Sequence, residues 1–120
     1  MKDYASMSDF EINKSVADIA MNGTWHVKPS HPDNDTGGWL YGSNGIQTHE
    51  LPDYCNNPAD AWPIIISSMI SIRPVGNDGQ LWEVSGMDGM RSDYDKNPLR
   101  AAMVVFLMMK ESEGCGHSGK

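Results

Sequence analysis

Asn97-Pro98-Leu99-Arg100-Ala101-Ala102-Met103-Val104-Val105-Phe106-Leu107-Met108-Met109 is the stretch on which the fold turns. Its first two residues are a helix start. Asparagine accepts from amides that have no carbonyl partner in the first turn, and proline at the first helical position gives up a donor that had none. The run that follows is apolar on every side, which fits a helix that is central to the fold or sits in an oligomer interface. A helix is therefore predicted from Leu99 to about Ser112.

Working outward, residues 86 to 96 are polar and turn-rich. Before them, Ser71-Ile72-Arg73-Pro74-Val75 and Leu81-Trp82-Glu83-Val84 look like strands joined by the turn-forming Gly76-Asn77-Asp78-Gly79, which suits an antiparallel hairpin. Asn57-Pro58 repeats the helix start and predicts a second helix over 58 to 70. Trp62, Ile65, Ile66, Met69 and Ile70 give it a broad apolar face, and Pro63 lies one turn inside, where a bend or short first turn is expected. Ser8-Asp9-Phe10-Glu11 is a capping box; Ile12, Val16 and Ile19 then recur at helical spacing until Asn22-Gly23. Between Gly23 and Asp53 the chain is dense in turn formers, interrupted by Thr24-Trp25-His26-Val27 and Gly38-Trp39-Leu40-Tyr41, which read as short strands. Loops of this length are often functional. The expected fold is α+β and loop-rich, three helices packed on a small, mainly antiparallel sheet, with residues 1 to 112 as a single globular domain and 113 to 120 as a flexible polar tail.

The 120 residues carry a formal charge of −7, distributed unevenly. Residues 1 to 60 hold three Lys or Arg against nine Asp or Glu, and residues 61 to 120 hold six against seven. That balance repels a phosphate backbone at long range and argues against bulk nucleic-acid binding. Any anion site is expected in the second half. Two cysteines, Cys55 and Cys115, are too few for a disulfide framework and fit reduced thiols in a cytosol. The first residues lack the apolar stretch of a signal peptide, and the longest apolar run, 101 to 109, is far short of a membrane span.

The residues that could carry chemistry gather around the two Asn-Pro starts. Helix N-termini offer amide donors and a positive dipole end, which suit phosphate or carboxylate. Arg100 adds charge, Tyr54 or Trp62 a stacking surface, and Asn56, Asn57 and Asn97 polar edges. Asp60, in the first turn of its helix, completes a candidate ligand-binding set of Tyr54, Asn56, Asn57, Asp60, Trp62, Asn97 and Arg100. Plain capping accounts for both starts without a ligand, and Asp60 can serve only its helix dipole. His26, His31, His49, His117, Cys55 and Cys115 show no paired metal-ligand spacing, so neither metal nor cofactor is expected. Nucleophile elbows and phosphate-cradling glycine loops are absent from the sequence. His49 with Asp53 or Asp60 is the one arrangement that keeps a small phosphoesterase in view; otherwise no catalytic residue is expected and the chain reads as a binding protein, not an enzyme.

Three segments, Ser8 to Lys14, Tyr54 to Ile65 and Asn97 to Met109, together resemble the NinX family of small proteins encoded by lambda-like bacteriophages and prophages. The resemblance covers nearly the whole chain. It implies a phage protein made in the host bacterial cytoplasm and brings no catalytic residues to carry over. Several unrelated families of small phage proteins form oligomers that sequester nucleotide second messengers of bacterial immunity. By that analogy the expected function is sequestration of a small anionic nucleotide, of cyclic dinucleotide or cyclised ADP-ribose type, by a homo-oligomer formed through the third helix or the sheet edge. The alternative is an acidic protein-interaction module that inhibits a host or phage protein. A nucleotide binder should show a pocket with a positive patch near Asn57 and Asn97, and a protein binder a contiguous apolar or acidic face.

Overall fold

The computed structural model describes residues 3–21, 28–32, 34, 36, 38–41, 47–75, 81–87, 89 and 92–118. They form an α+β fold of three helices and antiparallel sheet, as the sequence predicts. The elements are a 3-10 turn (Tyr4–Ser6), α1 (Asp9–Ala20), β1 (Trp39–Tyr41), β2 (Gln47–His49), α2 (Pro58–Ser67), β3 (Ser71–Val75), β4 (Leu81–Ser85), β5 (Ser92–Asp95) and α3 (Pro98–Ser118). They fall into two compact units, Met1–Asp53 and Tyr54–Lys120.

In the first unit the capping box forms in full. The Ser8 hydroxyl accepts from the Glu11 amide at 3.1 Å and Glu11 accepts from the Ser8 amide at 3.0 Å. Ile12, Val16 and Ala17 are fully buried along one side of α1. The polar residues on that helix hold chain that has little apolar content of its own. Asp18 accepts both the amide (3.0 Å) and the hydroxyl of Ser30, next to the fully buried Pro29. Asn13, buried, donates to Asp53 at 3.1 Å. β1 and β2 pair antiparallel, with Leu40 opposite Thr48. The expected strand at 24 to 27 and the turn at 76 to 79 lie outside the described residues.

In the second unit the sheet order is β3-β4-β5, antiparallel throughout. Two-residue periodicity divides its faces. Arg73, Glu83 and Tyr94 stand in register across one side; Ile72, Val84 and Asp93 stand across the other, with Pro74, Trp82 and Asp95 beside them. α3 packs on β4 and β5, and α2 packs on α3. All seven residues from Ala101 to Leu107 are buried. Of the two roles the apolar run allows, this helix takes the central one. Its backbone runs on to Ser118, past the expected end near Ser112, since each added residue of an established helix gains a hydrogen bond.

Two features of this unit depart from expectation. β5 replaces the polar, turn-rich link expected over 86 to 96. Its core-side residues are aspartates, so no alternating apolar pattern marks it, and its pairing is with the backbone of β4. On open ground across the sheet, Glu83 accepts from Arg73 Nε at 2.9 Å and from the Tyr94 hydroxyl at 2.7 Å. Both bonds favour the carboxylate, and the Arg73 bond, the stronger of the two influences, holds Glu83 below its ordinary range.

α2 is one continuous helix through Pro63, but it ends at Ser67, short of the expected 70. The Ile70 amide returns to the Ile65 carbonyl (3.0 Å) and the Met69 amide to the Ile66 carbonyl (3.1 Å), the bond pattern of a Schellman stop. That stop requires a left-handed residue, and Met69 supplies it at φ 55°, the sole non-glycine with positive φ among the described residues. Glycine is the usual occupant because a Cβ there costs about 1–2 kcal/mol. Met69 is 65% exposed, so its side chain recovers little by burial. Met69→Gly should therefore stabilise the protein by about 0.5–1 kcal/mol, after the greater chain entropy of unfolded glycine is subtracted. Urea denaturation with an unchanged m-value checks this.

Candidate functional site

Asn97 uses both ends of its side chain. Oδ1 accepts from the amides of Leu99 (3.0 Å) and Arg100 (3.3 Å), capping α3. Nδ2 donates to the carbonyl of Cys55 (2.7 Å) and to Oδ1 of Asn56 (3.1 Å), which lead into α2. The two Asn-Pro starts, 40 positions apart in sequence, are thereby tied into one place. Asn57 in turn caps α2 by accepting from Ala59 at 3.0 Å.

This cluster leaves the first-turn amides occupied. Pro58 and Pro98 have none to offer. The Asp60 and Ala61 amides bond the Asn57 carbonyl at 3.0 and 3.1 Å, and the Ala101 amide bonds the Asn97 carbonyl at 3.1 Å. A phosphate at either helix start would have to displace a cap. Arg100 lies in the first turn of α3 with its side chain only 16% exposed, its Nε 3.7 Å from Asp95 Oδ2. Asp95 also accepts from the Asn97 amide at 3.0 Å.

The remaining candidates divide between inside and outside. Tyr54 is 4% exposed, so its ring face serves the core. Burial, with the charge of Asp60 adding to it, pushes its phenol up to about 12. Asp60 is half-buried; Asn56 and Asn57 are exposed. Trp62 is 56% exposed on α2. The structure thus brings Asn56 to Asn97, both beside Cys55, and sets Tyr54 where the charge of Asp60 adds to burial in disfavouring its phenolate.

Sequence reasoning missed three participants. Asp93 and Asp95 were concealed in a strand without apolar alternation. The third is the outer side of α2, where Ala59, Trp62, Pro63 and Ile66 are exposed at the i, i+3, i+4, i+7 spacing of one helix face. The inner side is Ala61, Ile64 and Ile65, all buried. The broad face read from sequence is two faces, and a helix apolar on both sides was the signal available for a second contact. Among the described residues no group of three or more His, Cys, Asp or Glu is disposed to hold a metal ion, and none of their helices is long and apolar enough to cross a membrane.

Fold and site together define a small acidic α+β protein whose two proline-started helices are joined by one asparagine. The family model described as Bacteriophage P22, NinX matches residues 3–110, and the chain belongs to that family. Neither a curated protein nor a solved structure matches it.

Two outcomes follow. Asn97→Ala removes the cap and leaves the buried Cys55 carbonyl without this donor, so it should destabilise by about 2–3 kcal/mol; Asn97→Asp restores the acceptor alone and should recover only the cap's share of about 1 kcal/mol. Urea midpoints of the three proteins measure the split. Asp93 faces α3, and desolvation, reinforced by Asp95 and opposed by Arg100 and the Tyr94 amide, raises its carboxyl pKa. A raised folded pKa means the native state binds this proton more tightly than the unfolded chain, so Asp93 lowers stability above that pKa and ceases to do so as pH falls through it. Asp93→Asn should raise the urea midpoint at pH 7 and lose that advantage by about pH 4, near the ordinary aspartate value.

Proposed function

We propose that this chain is a phage accessory protein that acts by binding, without catalysis, as an acidic protein-interaction module that inhibits a host or phage protein in the bacterial cytoplasm. The observation that carries this reading is the outer face of α2. Trp62 and Ile66, one turn apart on α2, are 56% and 57% exposed, and Met69, just past the end of the helix with its amide bonded to the Ile66 carbonyl, is 65% exposed. Single exposed apolar residues are ordinary on a protein surface, but a contiguous set led by tryptophan is characteristic of contact sites. The occupied cap amides and the Arg100–Asp95 pair support the same choice, because they leave the helix starts poorly suited to a phosphate.

A second reading keeps the nucleotide ligand, a cyclic dinucleotide or cyclised ADP-ribose withheld from a host antiviral effector. It is favoured by the exposure of Asn56, Asn57 and Trp62 within two turns of one another, which offers polar edges beside a stacking surface. In it Asn97 and Arg100 act behind Asn56, with the buried Tyr54 and the half-buried Asp60 as support.

The two separate in one experiment. Purified protein is titrated calorimetrically against a panel of cyclic dinucleotides and cyclised ADP-ribose species, and tagged protein is recovered from infected cells beside a Trp62→Ser, Ile66→Ser double variant. Expected are no heat from the panel, and a stoichiometric protein that the wild type retains and the variant loses at unchanged Tm. Micromolar binding of a nucleotide recovered intact would transfer the function to the second reading.

A further inference from the structure

We infer that β5 is a strap that opens by itself while the β3–β4 hairpin and the helices stay folded, and that the charge on Asp93 sets how readily it does so. The reason lies in what each strand gives the core. Two rows stand in register across the core side of the sheet, Ile72–Val84–Asp93 and Pro74–Trp82–Asp95. Each is apolar until it reaches β5, and there it ends in a carboxylate. Burial of apolar side chains is the main force that holds a strand to its core, and β5, an outer strand of the order β3-β4-β5, supplies none on that side.

The surroundings of β5 on that side are unfavourable to charge. α3 packs on β4 and β5, and its buried run, Ala101–Leu107, has no side chain that can donate a hydrogen bond. β4 presents Trp82 and Val84 there, neither of them charged. Among the described residues the charged groups that act on Asp93 are Asp95 on its own strand and Arg100 at the start of α3. Arg100 is shared with Asp95, whose Oδ2 is 3.7 Å from its Nε. Burial raises the Asp93 carboxyl above its ordinary range and Asp95 adds to the effect, while the Tyr94 amide and Arg100 oppose it.

The bonds that hold β5 are of a kind that yields early. Beyond the ladder with β4, Tyr94 donates to Glu83 at 2.7 Å on the exposed side of the sheet, and Asp95 accepts from the Asn97 amide at 3.0 Å. Exposed polar pairs contribute little. Asn97 does not depend on the strand, because its side chain bonds Cys55, Asn56 and the Leu99 amide of α3. It is the fixed point at which the strap ends. Opening withdraws Asp95 from Arg100 and uncovers the edge of β4 with the part of α3 behind it.

Native-state hydrogen exchange of the full chain across a series of low urea concentrations tests this. The β5 amides bonded to β4 are expected to exchange at least about tenfold faster than the most protected amides of Ala101–Leu107. Their urea dependence should be shallower, because opening one strand exposes less surface than global unfolding. Tyr94→Phe, which removes only the hydroxyl bond to Glu83, should speed β5 exchange by about two- to fivefold and leave the paired amides of β3 unmoved. Asp93→Asn should slow β5 exchange at pH 7 after correction for intrinsic rates. That advantage should fade toward about pH 4, as the wild-type carboxyl takes up its proton within the closed strand. Glu83 stays ionised through this window because the Arg73 bond holds it below its ordinary range. Exchange of β5 with the rate and urea slope of Ala101–Leu107, or opening of β3 together with β5, would overturn the strap. An unchanged β5 rate in Asp93→Asn at pH 7 would overturn the part given to Asp93.

Discussion

The second unit depends on a single asparagine side chain that satisfies two backbones at once. Asn97 accepts from the first amides of α3 and donates to the Cys55 carbonyl and to Asn56, at 2.7 and 3.1 Å. A buried carbonyl without a donor costs as much as the bond is worth and more, so the approach to α2 cannot leave α3 without a penalty. Cys55, Tyr54, Ala61 and Ile65 are then buried together with the Ala101–Leu107 run. Packing and hydrogen bonding reinforce each other here, which is the local and global agreement expected of a sequence with one fold.

That constraint also decides what the helix starts can do. An asparagine cap and a proline at the first position make a good helix start and a poor anion site, because the donors are consumed or absent. Arg100, the one cation in the first turn of α3, is set against Asp95, with Asp93 behind it. The polar cluster is therefore architectural in its chemistry, and the opposite side of α2 takes no part in it. A helix that buries Ala61, Ile64 and Ile65 on one side while exposing Trp62 and Ile66 on the other has been given a second apolar face that folding does not use.

Much of this was legible in the sequence. Ser8 with Glu11, Asn57 with Pro58 and Asn97 with Pro98 each start a helix through contacts within four residues, and such local chemistry needs no tertiary context. The hairpin strands at 71–75 and 81–85 showed in their apolar and β-branched residues. β5 did not, since Asp93 and Asp95 hold their places by pairing with β4 and by serving the start of α3, neither of which is a local property. The candidate residues were found as a neighbourhood; their roles were not. Tyr54 and Trp62 are both aromatics near one helix start, yet one is buried and the other exposed.

The sequence by itself determined the α+β class, the helix starts, the acidic charge and the family pattern, because each is written in composition or in spacings of a few residues. Tertiary structure alone decided that the two Asn-Pro starts meet, that the cap amides are taken, that Met69 must turn left-handed to end α2, and which apolar side of α2 stays outside. Those outcomes depend on contacts between residues some 40 positions apart, such as Asn97 with Cys55, and on which face of a doubly apolar helix α3 covers. Periodicity fixes the faces of a helix; only packing chooses between them.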